Sequence, residues 1–135
     1  MVGLNRLTKR SDFLRVQRTN QKCVTKSLVI QIAPSILSKK SSIISADDSV
    51  RVGFTASKKI GNAVKRNFAK RRMRALIHRQ QKQLNVATDY VLIARQAILS
   101  KNFTEIEAEL IFALQALGKK LPSLKQRAQV NSNKS

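Results

Sequence analysis

The chain has very little of what protein-borne catalysis and membrane insertion draw on. Its 135 residues include one cysteine, one histidine, no tryptophan and only seven carboxylates against 27 Lys and Arg. The lone Cys23 excludes an internal disulfide and fits a reducing compartment. His78 and Cys23 together are too few for a Cys/His zinc set, and no glycine-rich run has the Walker spacing. Neighbouring carboxylates occur only at Asp47-Asp48 and in the segment Glu105–Glu109, both remote from the basic stretch described below. They offer no acid/base pair beside it, so neither a catalytic residue nor a protein-held metal is expected. No apolar run nears the roughly 20 residues that span a bilayer, and Arg6, Lys9 and Arg10 are not followed by an apolar signal core. A cytoplasmic protein with no membrane partner and no disulfide partner is expected. An apolar content of 42% suits one domain with a modest core.

The shortage of acid is most informative where it is complete. Between Asp48 and Asp89 there is no carboxylate, while eleven Lys or Arg side chains fall in the interval. Surfaces shaped for solubility intersperse both signs. A net charge of +20 with one long single-sign block calls for a polyanion, and nucleic acid is the first candidate.

That block opens with period-two alternation. Val50, Val52, Phe54 and Ala56 form an apolar set facing a core, while Arg51, Gly53, Thr55 and Ser57 face a cleft or solvent. Lys58-Lys59-Ile60-Gly61-Asn62 breaks the strand, with Gly61 able to take a positive φ and Asn62 suited to cap a helix. From Ala63, at about 100° per residue, Ala69, Met73, Leu76 and Ile77 fall on a docking stripe. Asn67, Lys70, Arg71, Arg74 and His78 fall opposite. With no acid within one helical turn, those cations repel one another instead of pairing, and Arg forks suit phosphate and base edges.

Elsewhere the pattern predicts a short helix capped by Thr8 or Ser11 and running to about Arg18, with Leu7, Phe13, Leu14 and Val16 as apolar members. A polar turn at 19–22 and a strand from Ser27 to Ala33 follow, and Pro34 either ends that strand or marks it as an edge. Residues 35–49 read as a Ser-rich loop or loosened hairpin. After the basic helix come a turn at Asn85–Asp89 and a buried strand Tyr90–Ala94. A last helix is expected to start at a capping box, Thr104 to Glu107, to bury Phe103, Ile106, Leu110, Ala113, Leu114 and Leu117, and to close at Gly118. Residues 1–121 are expected to form a single RNA-binding domain, and 122–135 a disordered basic tail. The element order predicts an α/β (α+β) two-layer sandwich, a small mixed sheet with three helices and a βαβ crossover through the basic helix.

The run from Gly53 to Val64, followed by Arg66-Asn67, Lys70-Arg71-Arg72 and Arg74, resembles the signature of the bacterial ribonuclease P protein subunit. The similarity extends over most of residues 4–117. Two positions depart from that pattern: Phe68 stands in place of an Arg, and Ala56 in place of a larger apolar residue. The resemblance implies a left-handed βαβ crossover, rare among proteins. It also implies that a partner RNA subunit carries out the hydrolysis of precursor tRNA with Mg²⁺, the protein holding none. On the same ground Lys58, Lys59, Asn62, Lys65, Arg66, Asn67, Lys70, Arg71 and Arg74 would bind the ribonuclease P RNA. Phe13, Gln17, Thr55, Ser57 and Arg95 would line a cleft for the five-prime leader of precursor tRNA. Gln17 stands where the family often carries a second aromatic. Composition and charge alone fit a non-catalytic ribosomal or nucleoid nucleic-acid-binding protein equally well. Phe13 reads as either core or cleft. Phe68 with Val64 and Ala75 reads either as an apolar patch packed under the turn, the reading favoured by having two apolar neighbours, or as a platform for an RNA base.

Overall fold

The computed structural model describes residues 3–35, 49–85 and 87–120. Most of the Ser-rich loop and the whole expected tail at 122–135 lie outside the described residues. Five strands form one sheet in the order β1-β4-β5-β3-β2. These are β1 (Gly3–Arg6), β2 (Lys22–Val24), β3 (Leu28–Pro34), β4 (Ser49–Thr55) and β5 (Thr88–Ala94). β1, β4 and β5 run parallel, while β3 is antiparallel to both β5 and β2. Three helices complete the fold: α1 (Arg10–Arg18), α2 (Ala63–Arg79) and α3 (Phe103–Gly118). The parallel neighbours β4 and β5 are joined through α2, the basic helix, so the expected βαβ crossover is present.

Alternation along the strands divides the core. Val50, Val52, Ile30, Ile32, Tyr90 and Leu92 share one face with Ala69, Met73, Leu76 and Ile77 of α2. The predicted docking stripe of the basic helix is therefore the buried one, each large side chain contributing about 1.5–3 kcal/mol. From α3, Ile106, Leu110, Ala113, Leu114 and Leu117 join that core, and Phe103 packs at its margin. The other sheet face carries a small second cluster, Leu7, Val16, Ala33 and Val91, with Phe13 and Ile93 packed against it. This face is covered by α1, which adds a short layer to the sandwich of sheet with α2 and α3.

Several local expectations are corrected. Neither Thr8 nor Ser11 caps α1. Lys9 occupies the N-cap without a side-chain bond, its carbonyl accepting from the Asp12 and Phe13 amides. At α3 the cap is Asn102, whose side chain accepts from the Thr104 amide at 3.0 Å, and Glu107 turns to Arg79 and Gln80 instead of closing a box. Gly118 is the last residue of α3, and Lys119 occupies the C-cap. Of the two readings of Pro34, the ending of the strand holds and the edge does not: it is the last residue of β3, an interior strand. Asp89 belongs to β5 rather than to a turn, opposite Arg51 of β4 and Ala33 of β3. Cys23 is a half-buried margin residue of the main core.

Candidate nucleic-acid interface

The turn before α2 is built to be rigid. Gly61 has φ +140°, and a Cβ there would lie 2.7 Å from the Lys65 side chain. Only glycine fits such a turn without strain. Ile60 is buried beneath it, and Gln96 Nε2 donates to the Lys59 carbonyl at 2.9 Å. Asn62 caps the helix as expected, its Oδ1 accepting from the Lys65 amide at 3.0 Å. Lys58, Lys59, Asn62 and Lys65 are thus exposed on an anchored corner.

Along α2 the predicted RNA-binding residues separate. Asn67, Arg71 and Arg74 are exposed and line a groove of about 480 Å³ together with Val64 and Phe68. Arg66 and Lys70 lie in line with Met73 and Ile77 and are half-buried on the flank toward the core. The buried Nε of Arg66 has no partner among the described residues. His78 is exposed, and its Nδ1 lies 3.0 Å from Gln81 Nε2.

Three of the eleven cations of the acid-free interval are satisfied within the protein and do not await a polyanion. Arg51 is bound by Asp89 at 2.7 and 3.0 Å and lies 3.4 Å from Asp12. Donation of those hydrogen bonds to Asp89, set against partial burial, holds the Arg51 pKa above its ordinary value. Arg72 donates to the Ile98 and Lys101 carbonyls at 3.0 and 2.6 Å, tying α2 to the segment before α3. Arg79 pairs with Glu107 at 2.7 Å. Lys58, Lys59, Lys65, Arg66, Lys70, Arg71, Arg74 and Lys82 have no acidic partner among the described residues.

Phe68 does not pack under the turn. It is 41% exposed, and Val64 is 75% exposed. Helical spacing puts both in the middle of the outward face, with the Arg72 guanidinium 5.0 Å from the ring centroid. Sequence reading also missed a hollow of about 490 Å³ at the sheet edge, where Arg74, Ala75, Ile77 and His78 meet Asn5, Arg6, Val52 and Phe54. β1 has four residues, too few for periodicity to reveal it.

On the opposite sheet face, Phe13 is half-buried and its ring rests on the backbone of β4. A Cβ on Gly53 would come within 2.6 Å of the ring edge. Phe13 is therefore both a margin member of the second cluster and partly accessible. Gln17 is exposed one turn further along α1. Thr55, half-buried, pairs with Ile93, so Ser57 and Arg95 stand beyond adjacent strand ends. Arg95 is drawn aside, its Nη1 donating to the Thr25 carbonyl at 2.7 Å. Beneath α1 lies an ionic cluster: Asp89, with no side-chain exposure, is bound by Arg15 and Arg51, while Asp12 lies 3.4 Å from Arg51 and 3.9 Å from Arg15.

A groove of arginines around an exposed ring, on a domain of this topology, invites comparison with known RNA-binding families. The family model described as Ribonuclease P matches residues 1–118. The chain belongs to the ribonuclease P protein family. The ribonuclease P protein component of Paramagnetospirillum magneticum is 39% identical over 116 residues, 85% of this chain and 84% of that protein. The corresponding component of Listeria monocytogenes is 33% identical, over 82% of this chain and 85% of its own length. Among solved structures, the Staphylococcus aureus RNase P protein superposes with a TM-score of 0.66 at 28% identity, covering 82% of this chain and 93% of that one. The RNase P protein from Thermotoga maritima, at 22% identity and a TM-score of 0.64, shares the fold over 79% of this chain and 92% of its own. As a ribonuclease P protein component, the chain is a subunit of a tRNA-processing endoribonuclease with the ribonuclease P RNA as its partner.

Among the described residues, four of the five carboxylates are engaged by the protein's own side chains. Asp12 and Asp89 are engaged by two arginines, Glu107 by Arg79 and Glu109 by Lys101 and Ser27. No group of three His, Cys, Asp or Glu among the described residues is arranged for a metal. No helix among them is long and apolar enough to cross a membrane.

Proposed function

We propose that this protein binds the ribonuclease P RNA through α2 and its preceding turn, and the five-prime leader of precursor tRNA through the Phe13 face. Leader removal to give the mature five-prime end is then carried out by the RNA, which would use Mg²⁺. The observation that carries the reading is the set of eight cations, Lys58 to Lys82, with no acidic partner among the described residues. On this reading Lys58, Lys59, Asn62, Lys65, Arg66, Asn67, Lys70, Arg71 and Arg74 contact the RNA subunit. Arg forks and ammonium groups there release counterions from the RNA, lowering the Mg²⁺ needed to bring two polyanions together. Phe13, Gln17, Thr55, Ser57 and Arg95 meet the leader, Phe13 offering a ring edge and Gln17 hydrogen bonds in place of a second stacking ring. Residues 1–121 act as one RNA-binding unit, in the cytoplasm, with a left-handed passage through α2.

The test is reconstitution with a bacterial ribonuclease P RNA at low Mg²⁺. Cleavage of precursor tRNA is expected when the protein is added to the RNA, and none with the protein alone. Cleavage by RNA-free protein that survives purification, or no effect of the protein on the RNA, overturns the reading.

A further inference from the structure

Phe68 is the feature that charge alone does not account for. A phenyl ring 41% exposed beside a valine 75% exposed is a poor choice on the outward face of a helix. Yet it lies among Asn67, Arg71 and Arg74, in a groove of about 480 Å³. One side of the ring is taken by Arg72, 5.0 Å from the centroid. That guanidinium is fixed by the Ile98 and Lys101 carbonyls, so it holds the ring from one side without closing the groove. An apolar ring backed by a fixed cation and flanked by free arginines matches one ligand class: a planar, electron-rich group joined to phosphates.

We propose that Phe68 and Val64 form a platform for one unpaired base of the RNA subunit, with Arg71 and Arg74 taking the adjoining phosphates. This deepens the reading of α2 as the RNA face and rests on it. The Phe in place of an Arg then exchanges one phosphate contact for one stacking contact. That contact is insensitive to salt and selects an unstacked nucleotide.

The chain has no tryptophan, so Phe68→Trp installs a single reporter on the platform. Its indole emission is expected to be quenched when the full-length variant is saturated with an in vitro transcribed ribonuclease P RNA. In parallel, Phe68→Leu keeps apolar bulk but removes the π face. It should weaken RNA binding by about 5- to 150-fold without changing the salt slope or the melting temperature. Unquenched indole emission from the Phe68→Trp variant within a complex seen by filter binding would overturn the platform, as would wild-type affinity of Phe68→Leu. Emission that shifts with protein concentration in the absence of RNA would overturn it too, assigning the patch to a second copy of the chain. Failure of the wild-type protein to bind the RNA would overturn the RNA-face reading along with it, whereas the other outcomes leave that reading standing.

Discussion

Replacing Asp89 with Asn should be the most damaging isosteric change available in this protein. The Asp89 side chain has no solvent exposure, and it neutralises Arg51, 13% exposed, and Arg15, 26% exposed. Asn keeps the volume but leaves Asp12, at 3.4 and 3.9 Å, as the one carboxylate near both guanidinium groups among the described residues. Removing one partner of a buried ionic group costs about 3–5 kcal/mol. Because Arg15 retains some solvent and Asp12 remains, the lower end, about 3 kcal/mol, is expected. Small domains total about 5–15 kcal/mol, so a large share of stability is at stake. For a domain of this size, about 3 kcal/mol corresponds to a fall in Tm of roughly 9–20 °C. Circular dichroism melts of wild type, Asp89→Asn, Arg51→Met and the double variant measure it. The double variant should lose less than the sum of the singles, since it no longer carries the unpaired charge of Arg51. Because Arg15 and Asp12 belong to α1, the single variant should also loosen Phe13 and weaken leader binding. An Asp89→Asn protein melting within about 2 °C of wild type, or singles that simply add, would refute Asp89 as the charge that compensates the cluster.

Replacing Arg71 and Arg74 together with Ala should flatten the salt dependence of RNA binding by about 1.4 to 1.8 units if each meets one phosphate; an unchanged slope in a filter-binding titration would place both outside the interface. Gly53→Ala would push a Cβ to 2.6 Å from the Phe13 ring, so it should cost about 1–3 kcal/mol and weaken precursor tRNA more than mature tRNA. Phe13→Ala should show the same substrate bias, and equal loss for both tRNAs would contradict a leader contact. Burial raises the pKa of the Tyr90 phenol above its ordinary 10.0, partly countered by the Asn85 amide bonded to its oxygen. Stability from the neutral phenol is therefore complete below pH 10 and lost as pH rises through the folded value, so phenolate absorbance of this single tyrosine should appear above pH 10 and coincide with loss of structure. Burial pushes Glu109 up, but Lys101, Ser27 and Thr25 outweigh it and hold the pKa below 4.5. Its contribution is present above pH 4.5 and lost as pH falls through the folded value, and Glu109→Gln should flatten the acid limb of a Tm–pH curve.

Much of this protein is determined by spacing that local sequence carries. The alternation of Val50, Val52 and Phe54 places those side chains on one sheet face whatever they pack against. The turn of α2 does the same for Ala69, Met73, Leu76 and Ile77. Gly61 and Asn62 act within three residues of themselves, so the corner presenting Lys58 and Lys59 is legible, and the family motif lies in that same local run. What depends on partners far along the chain is not legible there. Arg51 stands within the acid-free block and reads as one more free cation, but its carboxylate is 38 residues away, on the neighbouring strand. Arg72 reads as one more cation of the basic family run, yet carbonyls 26 and 29 residues on claim it. Helical spacing brings Phe68, Val64 and Ala75 together. Whether that patch is covered depends on how far α2 is rolled against the sheet, and the large buried side chains of Met73, Leu76 and Ile77 turn it outward. Local periodicity ranks the faces of an element, whereas the tertiary structure decides which distant groups reach them, because a charge or ring is satisfied by proximity in space and not along the chain.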